Sequence, residues 1–401
     1  MRPVVVLALA LSLSAPLAGQ VITAAPDPNH GILSAATQSW ADGMAGSPLT
    51  ANNQLVLLEN GVRSLPEKLA LIASANQQLF FSTMVAMHDA SGKQLCDAMI
   101  AAAGRGVRVR AILDGQRSDP RFWRALRQGG VQVELFNPWF DIGGRKHRFH
   151  QKVVIADLRT MVAGGLNASD AYLLGDGVNS NYKDTDVRVA GDAAAAASLA
   201  FLREWLDLAP NDADAQALLS GSATWGPLAV AGGPTARTGH ARWIVQESDR
   251  GSTKIRDYYQ RCFEEARSQV LWHVNNLIPT STLTTALTNA AGRGVRVIIV
   301  TNSARANARR QGALLGWFQT QYLRLQMRRL RNTGIQVWEI DVPIHSKALT
   351  VDGVMASIGS YNYSSSSEKN LESTCVIYDP ALITEVETMF DRDLRGGRRV
   401  Q

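Results

Sequence analysis

The sequence predicts an α/β fold made of two duplicated mixed-sheet domains, packed as a pseudo-twofold pair with the functional site at their interface. Three observations predict it. The segment Ala-Ala-Gly-Arg-Gly-Val-Arg-Val occurs at residues 102–109 and again, letter for letter, at residues 290–297. Strand and helix patterns alternate in both halves. A hydrophobic fraction of 46% over 401 residues is enough for two domains with substantial cores.

The first half alternates helices and strands in a regular order. A helix at residues 67–76 leads to a strand at residues 79–84. The repeated segment ends a second helix with glycine and runs into an apolar strand at residues 110–113. A further strand is expected at residues 131–136, and a helix at residues 193–207 closes the half.

The second half repeats this order. A helix at residues 257–268 leads to a strand at residues 270–274, and the repeated segment leads to a strand at residues 298–300. Another strand is expected at residues 335–340. Between the halves, residues 221–239 are rich in glycine, alanine, proline and threonine, which is typical of a linker.

The N-terminus and the linker divide the chain into five expected parts. A basic residue, a short apolar run and small residues at the N-terminus are typical of an export signal, so we expect a periplasmic or secreted protein. The run is too short to cross a bilayer. The parts are a signal peptide at residues 1–20, a first domain at 50–208, a linker at 209–240, a second domain at 241–391 and a basic tail at 392–401.

Charge and cysteine content set limits on partners and cofactors. Lysine and arginine exceed the acids by 41 to 35, which suits anionic partners such as nucleic acid or acidic lipid without choosing between them. Three widely spaced cysteines, Cys96, Cys262 and Cys375, make neither a disulfide framework nor a metal site. One bridge could form in an oxidising compartment, but small buried hydrophobes are expected.

A second repeated pattern carries the chemistry. Each half contains His-x-Lys, an aspartate five residues after the lysine, and an asparagine ten residues after the aspartate. The two sets differ by a constant 195 positions: His150, Lys152, Asp157, Gly164 and Asn167 in the first half, and His345, Lys347, Asp352, Gly359 and Asn362 in the second. Two complete sets in register predict one shared site.

The spacing has a direct structural meaning. Histidine and lysine two residues apart on a strand project from the same face. Residues 157–159 and 352–353 are expected to form turns, and the return strands bring the glycines back beside the histidines. Each half would then offer one imidazole, one ammonium and one amide to a common point.

Two such sets suit a phosphodiester. Lys152 and Lys347 would balance the charge on the phosphoryl oxygens, and Asn167 and Asn362 would donate hydrogen bonds to them. One histidine would attack phosphorus and form a phosphohistidine, while the other would protonate the leaving oxygen and then activate the acceptor. This chemistry needs no metal or other cofactor, and no cluster in the sequence is typical of metal ligands.

The duplicated His-x-Lys-x4-Asp motif, each copy followed by Gly-x-x-Asn, resembles the phospholipase D superfamily. The resemblance extends over residues 53–391 and is greatest to the bacterial cardiolipin synthase branch. The segments that carry it are residues 102–115, 136–138, 164–172, 184–188, 301–303 and 359–362.

The resemblance implies roles for single residues. His150, in the N-terminal motif, would be the nucleophile, and His345 would be the general acid and base. Acidic residues beyond each asparagine orient the histidines in that family. Glu372 matches its Asn-x-Glu pattern, whereas the first half offers Asp184 or Asp186.

Two features bear on these assignments. Asp157 and Asp352 belong to the family's catalytic motif, but their place at turns predicts that they support the strands. The serine-rich residues 363–367 depart from the cardiolipin synthases and resemble small nucleases of the superfamily. The paired N-terminal membrane helices of many cardiolipin synthases are absent from this sequence.

Three functions follow from the resemblance. The first is a phospholipase D or phosphatidyltransferase that acts on glycerophospholipids, as a peripheral protein at a membrane surface. The first alternative is an exported, metal-independent nuclease that uses the same site. The second alternative is an inactive protein that binds lipid or nucleic acid, against which the completeness of both motifs argues.

One insertion in the second half has no counterpart in the first. Residues 312–331 contain an apolar stripe at helical spacing followed by arginines. Such a helix could lie on an anionic membrane or pack its stripe on the sheet, and the second is expected because most such stripes are core. The stripe is Leu314, Leu315, Phe318, Tyr322 and Leu325.

Overall fold

The computed structural model describes residues 27, 29–138, 147–178, 181–222, 239–247, 250–275 and 277–400. The expected signal peptide, residues 1–20, lies outside the described residues, as do residues 223–238 of the expected linker.

The described residues form two mixed sheets. The strands of the first are β1 (Gln54–Glu59), β2 (Gln78–Thr83), β3 (Arg108–Asp114), β4 (Gln132–Phe136), β5 (Val153–Ala156), β6 (Thr160–Gly164) and β7 (Thr185–Ala190). Those of the second are β8 (Ala241–Glu247), β9 (Gln269–His273), β10 (Arg296–Asn302), β11 (Gln336–Ile340), β12 (Leu349–Val351), β13 (Met355–Gly359), β14 (Leu371–Ile377) and β15 (Arg398–Arg399).

The strand orders of the two sheets are the same. The first runs β4-β3-β2-β5-β6-β7-β1, and the second runs β11-β10-β9-β12-β13-β14-β8 with β15 added beyond β11. The first three strands of each order are parallel, and the remaining pairs are antiparallel. The predicted α/β fold with two duplicated mixed-sheet halves is confirmed.

Helices cover both faces of the sheets. They are α1 (Ala35–Ala45), α2 (Gly61–Ser74), α3 (Ala90–Gly104), α4 (Pro120–Gln128), α5 (Asp170–Leu173), α6 (Asp192–Leu208), α7 (Ala213–Ser220), α8 (Lys254–Glu265), α9 (Ser281–Gly292), α10 (Ala304–Gln311), α11 (Ala313–Met327) and α12 (Pro380–Gly396). One core lies under α2, α3 and α4, and another under α1, α8 and α9. A third contains residues of both sheets together with α6 and α12, so the halves share a continuous apolar interior.

The repeated eight-residue segment has a structural role. Arg105 donates to the carbonyls of Ile72, Ala73 and Ala75 at the end of α2. Arg293 makes the same three contacts at the end of α8. These guanidinium groups satisfy carbonyls that a helix C-terminus leaves without partners. The arginine of each repeated segment therefore caps the C-terminus of a neighbouring helix, α2 in the first half and α8 in the second.

The structure adds detail to two of the expected parts of the chain and corrects one expectation, on α11. The expected linker contains α7, which is fixed because buried Arg110 binds Asp212 at 2.9 Å and Asp214 at 2.7 Å. The expected basic tail is also ordered, since α12 continues to Gly396 and β15 pairs with β11. The apolar stripe of α11 faces solvent instead of the sheet, because the opposite face of the helix supplies its packing.

The cysteines are buried and unbridged. Burial raises the pKa of Cys375 to about 12, so this thiol is unreactive at neutral pH. Among the described helices, none combines the length and apolarity needed to cross a membrane.

Candidate active site

Each motif histidine is held by the backbone of the other half. The His150 amide donates to the carbonyl of Leu371 at 2.9 Å, and the His345 amide donates to the carbonyl of Lys183 at 2.8 Å. Both contacts belong to short parallel bridges between the halves. Neither histidine segment can therefore be placed without the other half.

The side chain of each motif histidine also binds a residue of the other half. His150 Nδ1 lies 2.8 Å from Glu372 Oε2, and His345 Nδ1 lies 2.6 Å from Asp184 Oδ2. Each carboxylate directly follows the residue whose carbonyl binds the histidine amide. A carboxylate that accepts from Nδ1 fixes the tautomer and directs Nε2 towards the substrate. In the second half, Lys347 Nζ also lies 3.2 Å from His345 Nε2. The two half-sites are thus related by a pseudo-twofold exchange of partners.

The structure distinguishes between the two acidic candidates of the first half. Asp184 binds His345, whereas Asp186 lies 2.8 Å from Lys68 Nζ and accepts from Ser64 at 2.6 Å. Successive residues of a strand point to opposite faces, so Asp184 and Asp186, two residues apart, share a face. Their spacing in the sequence therefore could not show which of them binds the histidine. Asp186 therefore supports the strand beside the site and does not orient a histidine.

The motif lysines are buried beside their own histidines. Lys152 Nζ donates to the His150 carbonyl and Lys347 Nζ to the His345 carbonyl. Burial lowers the pKa of Lys152 to about 7 and that of Lys347 to about 8. An arriving phosphodiester anion would favour the charged form of both amines.

The histidine environments differ. Burial lowers the pKa of His150 against the opposing effect of Glu372. Burial, Lys347 and Lys152 together hold the pKa of His345 well below its usual range. Although burial alone would raise it, the pKa of Glu372 is lowered because His150 and Lys152 outweigh burial. Burial raises the pKa of Asp184 despite the nearby lysines. The carboxylate on His150 is thus the more firmly ionised of the two.

The motif asparagines leave polar atoms available in the buried site. Asn167 accepts from the Val85 amide at 3.1 Å, and its Nδ2 group finds no well-oriented acceptor among the described residues, with the Tyr172 hydroxyl nearby. The backbone amide of Asn362 donates to Ser367 Oγ at 2.9 Å. Among the described residues, the side-chain Oδ1 of Asn362 has no donor. Buried polar atoms without partners are uncommon. The Asn167 Nδ2 group is a donor and suits a phosphoryl oxygen, whereas the unpaired atom of Asn362 is an acceptor and does not by itself provide the expected donation.

The motif aspartates lie at the far ends of the strands that carry the histidines. Asp157 accepts from the amides of Gln77 and Gln78 at 2.8 and 3.0 Å. Asp352 accepts from Gln269 at 2.6 Å and contacts His30 Nε2 at 2.7 Å. Both side chains anchor the start of a neighbouring strand and contact neither motif histidine.

Three residues near His345 were given no role at the site from the sequence, although Tyr172 lies in a segment that carries the family resemblance. The Tyr172 ring meets the His345 ring edge-on at 4.8 Å between centroids, and Tyr182 lies at 5.1 Å. The Arg310 guanidinium lies 4.5 Å from the centre of the Tyr182 ring. These residues have no counterparts in the internal repeat, so no periodic signal pointed to them. Among the described residues, no three His, Cys, Asp or Glu side chains converge as a metal site would require.

Two His–Lys pairs with exchanged carboxylates, on two duplicated sheets, define an enzyme of the phospholipase D-like class. The family model described as "Cardiolipin synthase, PLD-like domain" matches residues 69–197 and 259–394. The chain belongs to this family, and by family it is a phospholipase D-like phosphatidyltransferase.

Individual relatives agree with this placement. The chain is 28% identical to the major cardiolipin synthase ClsA of Bacillus subtilis, over 87% of this chain and 70% of that protein. It is also 28% identical to cardiolipin synthase B of Escherichia coli K12, over 85% and 78% of the two chains. The fold is similar to that of phosphatidylserine synthase from Haemophilus influenzae, with a TM-score of 0.67 and 13% identity over 90% of this chain and 92% of that one.

Proposed function

We propose that the enzyme cleaves a phosphodiester of a glycerophospholipid and transfers the phosphatidyl group, through a phosphohistidine, to an alcohol or to water. The observation that supports it best is the exchanged pair of carboxylate–histidine contacts, 2.8 Å at His150 and 2.6 Å at His345. The names of the cardiolipin synthase relatives support the lipid substrate.

In the first step, His150 Nε2 attacks phosphorus and the bond to the leaving alkoxide breaks. The alkoxide takes a proton from His345 Nε2, so His345 enters this step as the imidazolium: the bound phosphodiester anion favours the charged ring, against the burial and the two lysines that lower its pKa in the free enzyme. Ionised Glu372 stabilises the positive charge that develops on the His150 ring, and its lowered pKa favours this assignment of the nucleophile. Lys152 and Lys347 balance the charge on the non-bridging oxygens.

In the second step, His345 takes a proton from the incoming alcohol or water, whose oxygen attacks phosphorus. The bond from phosphorus to His150 Nε2 breaks, and the histidine returns to its neutral form. The same imidazole thus donates in one step and accepts in the next, which restores the starting protonation state.

A burst experiment tests these roles. With a short-chain phosphatidyl ester of p-nitrophenol, the leaving group needs no general acid. We expect His345→Asn to release about one equivalent of p-nitrophenolate and to leave a covalent adduct on the peptide containing His150. His150→Asn should give neither, and His88→Asn, a histidine outside the repeat, should turn over like the parent. An adduct on His345 would reverse the roles, and near-normal turnover by either folded motif variant would refute the shared site.

The nuclease alternative rests on the serine-rich residues 363–367. In the structure, Ser367 Oγ accepts from the backbone amide of Asn362, and Ser364 Oγ lies 2.8 Å from Ser366 Oγ. These serines therefore have hydrogen-bond partners within the protein. Incubation with phosphatidylglycerol vesicles and, separately, with plasmid DNA distinguishes the two functions. Plasmid cleavage without lipid turnover would replace the proposal, and the absence of both activities would favour a binding protein.

A further inference from the structure

The helical hairpin formed by α10 and α11 exposes a large apolar face. Its six apolar side chains are 45–69% exposed, although side chains of this size are usually buried. They lie on one side of α11 and form a contiguous patch, which marks an interaction surface more often than chance exposure. They are Leu314, Leu315, Trp317, Phe318, Tyr322 and Leu325.

The opposite face of α11 fixes the hairpin to the protein. A Cβ on Gly316 would lie 2.6 Å from the Cα of Ala308, so the glycine permits the close approach of the two helices. Asn307 Nδ2 donates to Thr320 Oγ1 at 3.2 Å between them. Leu323 is buried in the core of the second half. The apolar face is therefore held outward by packing on its far side.

Arginines adjoin the apolar face. A cavity of about 500 Å³ beside the end of α11 is lined by several arginines and one acid, Glu339. Glu339 pairs with Arg398 at 2.8 Å, which leaves an excess of positive charge in the lining. The arginines are Arg324, Arg328, Arg331, Arg398 and Arg399.

The hairpin also reaches the catalytic centre. Arg310, at the end of α10, stacks over Tyr182, whose ring contacts His345. The Arg310 Nε is buried and has no acceptor in the described part of the chain. The exposed apolar face thus begins at Leu314, four residues after an arginine at the edge of the active site.

We propose that the α10–α11 hairpin binds the surface of an anionic phospholipid bilayer and places the His345 side of the active site against it. The proposal rests on the proposed lipid substrate. Apolar side chains flanked by arginines match the boundary between acyl chains and anionic headgroups. A second copy fits less well, because two such faces would bring like charges together.

Vesicle binding tests the apolar face. The probe is sedimentation of the full chain with vesicles of phosphatidylglycerol and phosphatidylcholine in equal amounts, compared with pure phosphatidylcholine. Leu315→Ser/Phe318→Ser should weaken binding to the anionic vesicles by about tenfold or more, since two apolar side chains lose their burial. Val62→Ser/Val178→Ser, at exposed positions of the first half, is the matched control and should bind like the parent.

Charge reversal tests the arginines without touching the apolar face. Each basic residue near an anionic surface strengthens binding by about fivefold, so Arg324→Glu/Arg328→Glu should lose at least about 25-fold. The control Lys93→Glu/Arg203→Glu makes the same change in net charge at exposed positions of α3 and α6. Equal losses in test and control would overturn a localised surface.

Activity on a soluble substrate separates this proposal from the proposed function. Cleavage of a monomeric short-chain phosphatidyl ester should persist in Leu315→Ser/Phe318→Ser while turnover of vesicle lipid falls. A parent that cleaves the soluble ester but does not bind anionic vesicles overturns the docking surface alone. A parent that binds vesicles through these residues but cleaves no lipid overturns the proposed function alone. A concentration-dependent dimer that the double serine variant abolishes would assign the face to a second copy instead.

Discussion

Replacing Glu372 by glutamine tests the exchanged contact between the halves. The side chain is fully buried, and its Oε2 lies 2.8 Å from His150 Nδ1. Glutamine keeps the shape but removes the negative charge that stabilises the charged imidazole of the phosphohistidine. Removing one partner of a buried ion pair costs about 3–5 kcal/mol. Since each 1.36 kcal/mol is about tenfold in rate, kcat/KM should fall by about 100- to 10,000-fold.

The assay is kcat/KM for the p-nitrophenyl phosphodiester between pH 5 and pH 8. Glu372 raises the pKa of His150, so its loss should lower that pKa and shift the acid limb of the profile to lower pH. Glu339→Gln is the matched control, because this buried carboxylate pairs with Arg398 away from the site. A folded Glu372→Gln enzyme within tenfold of the parent, with an unshifted acid limb, would refute the assigned role.

Three further predictions concern protons, stability and metals. Because the pKa of Lys152 is about 7 and that of Lys347 about 8, the first amine is mostly neutral and the second about half neutral at pH 8, so binding of inorganic phosphate there should take up between one and two protons and weaken as the pH rises. Calorimetry in two buffers of different ionisation enthalpy measures this, and proton release would contradict it. The pKa of Asp352 is about 2 against an ordinary 3.8, so the carboxylate stabilises the fold above the ordinary value and this contribution is lost as the pH falls towards 2. Asp352→Asn should therefore lower the free energy of unfolding by about 2 kcal/mol in urea at pH 7, and an unchanged value would exclude the anchoring role. EDTA should leave turnover unchanged, and activity lost in EDTA but restored by a divalent cation would show that a metal takes part.

The sequence by itself determined the duplication, the strand–turn–strand units and the histidine–lysine pair that each half carries. These features are local: a histidine and lysine two apart share a strand face, and the glycine-ended helix leads directly into its strand. A constant offset of 195 positions then paired the two sets. The sequence also placed Asp157 and Asp352 at turns, where the chain reverses, and so predicted that they support the strands.

Only the tertiary structure decided which acid serves which histidine. His150 and Glu372 are 222 residues apart and His345 and Asp184 are 161 apart, so the contacts depend on how two halves dock. The exposed face of α11 was decided in the same way. The helix carries apolar residues on both faces, and the packing of Gly316 against α10 and of Leu323 in the core of the second half determines which face is buried. Amphipathic spacing records which residues share a face, but the choice of the face that is covered depends on long-range packing.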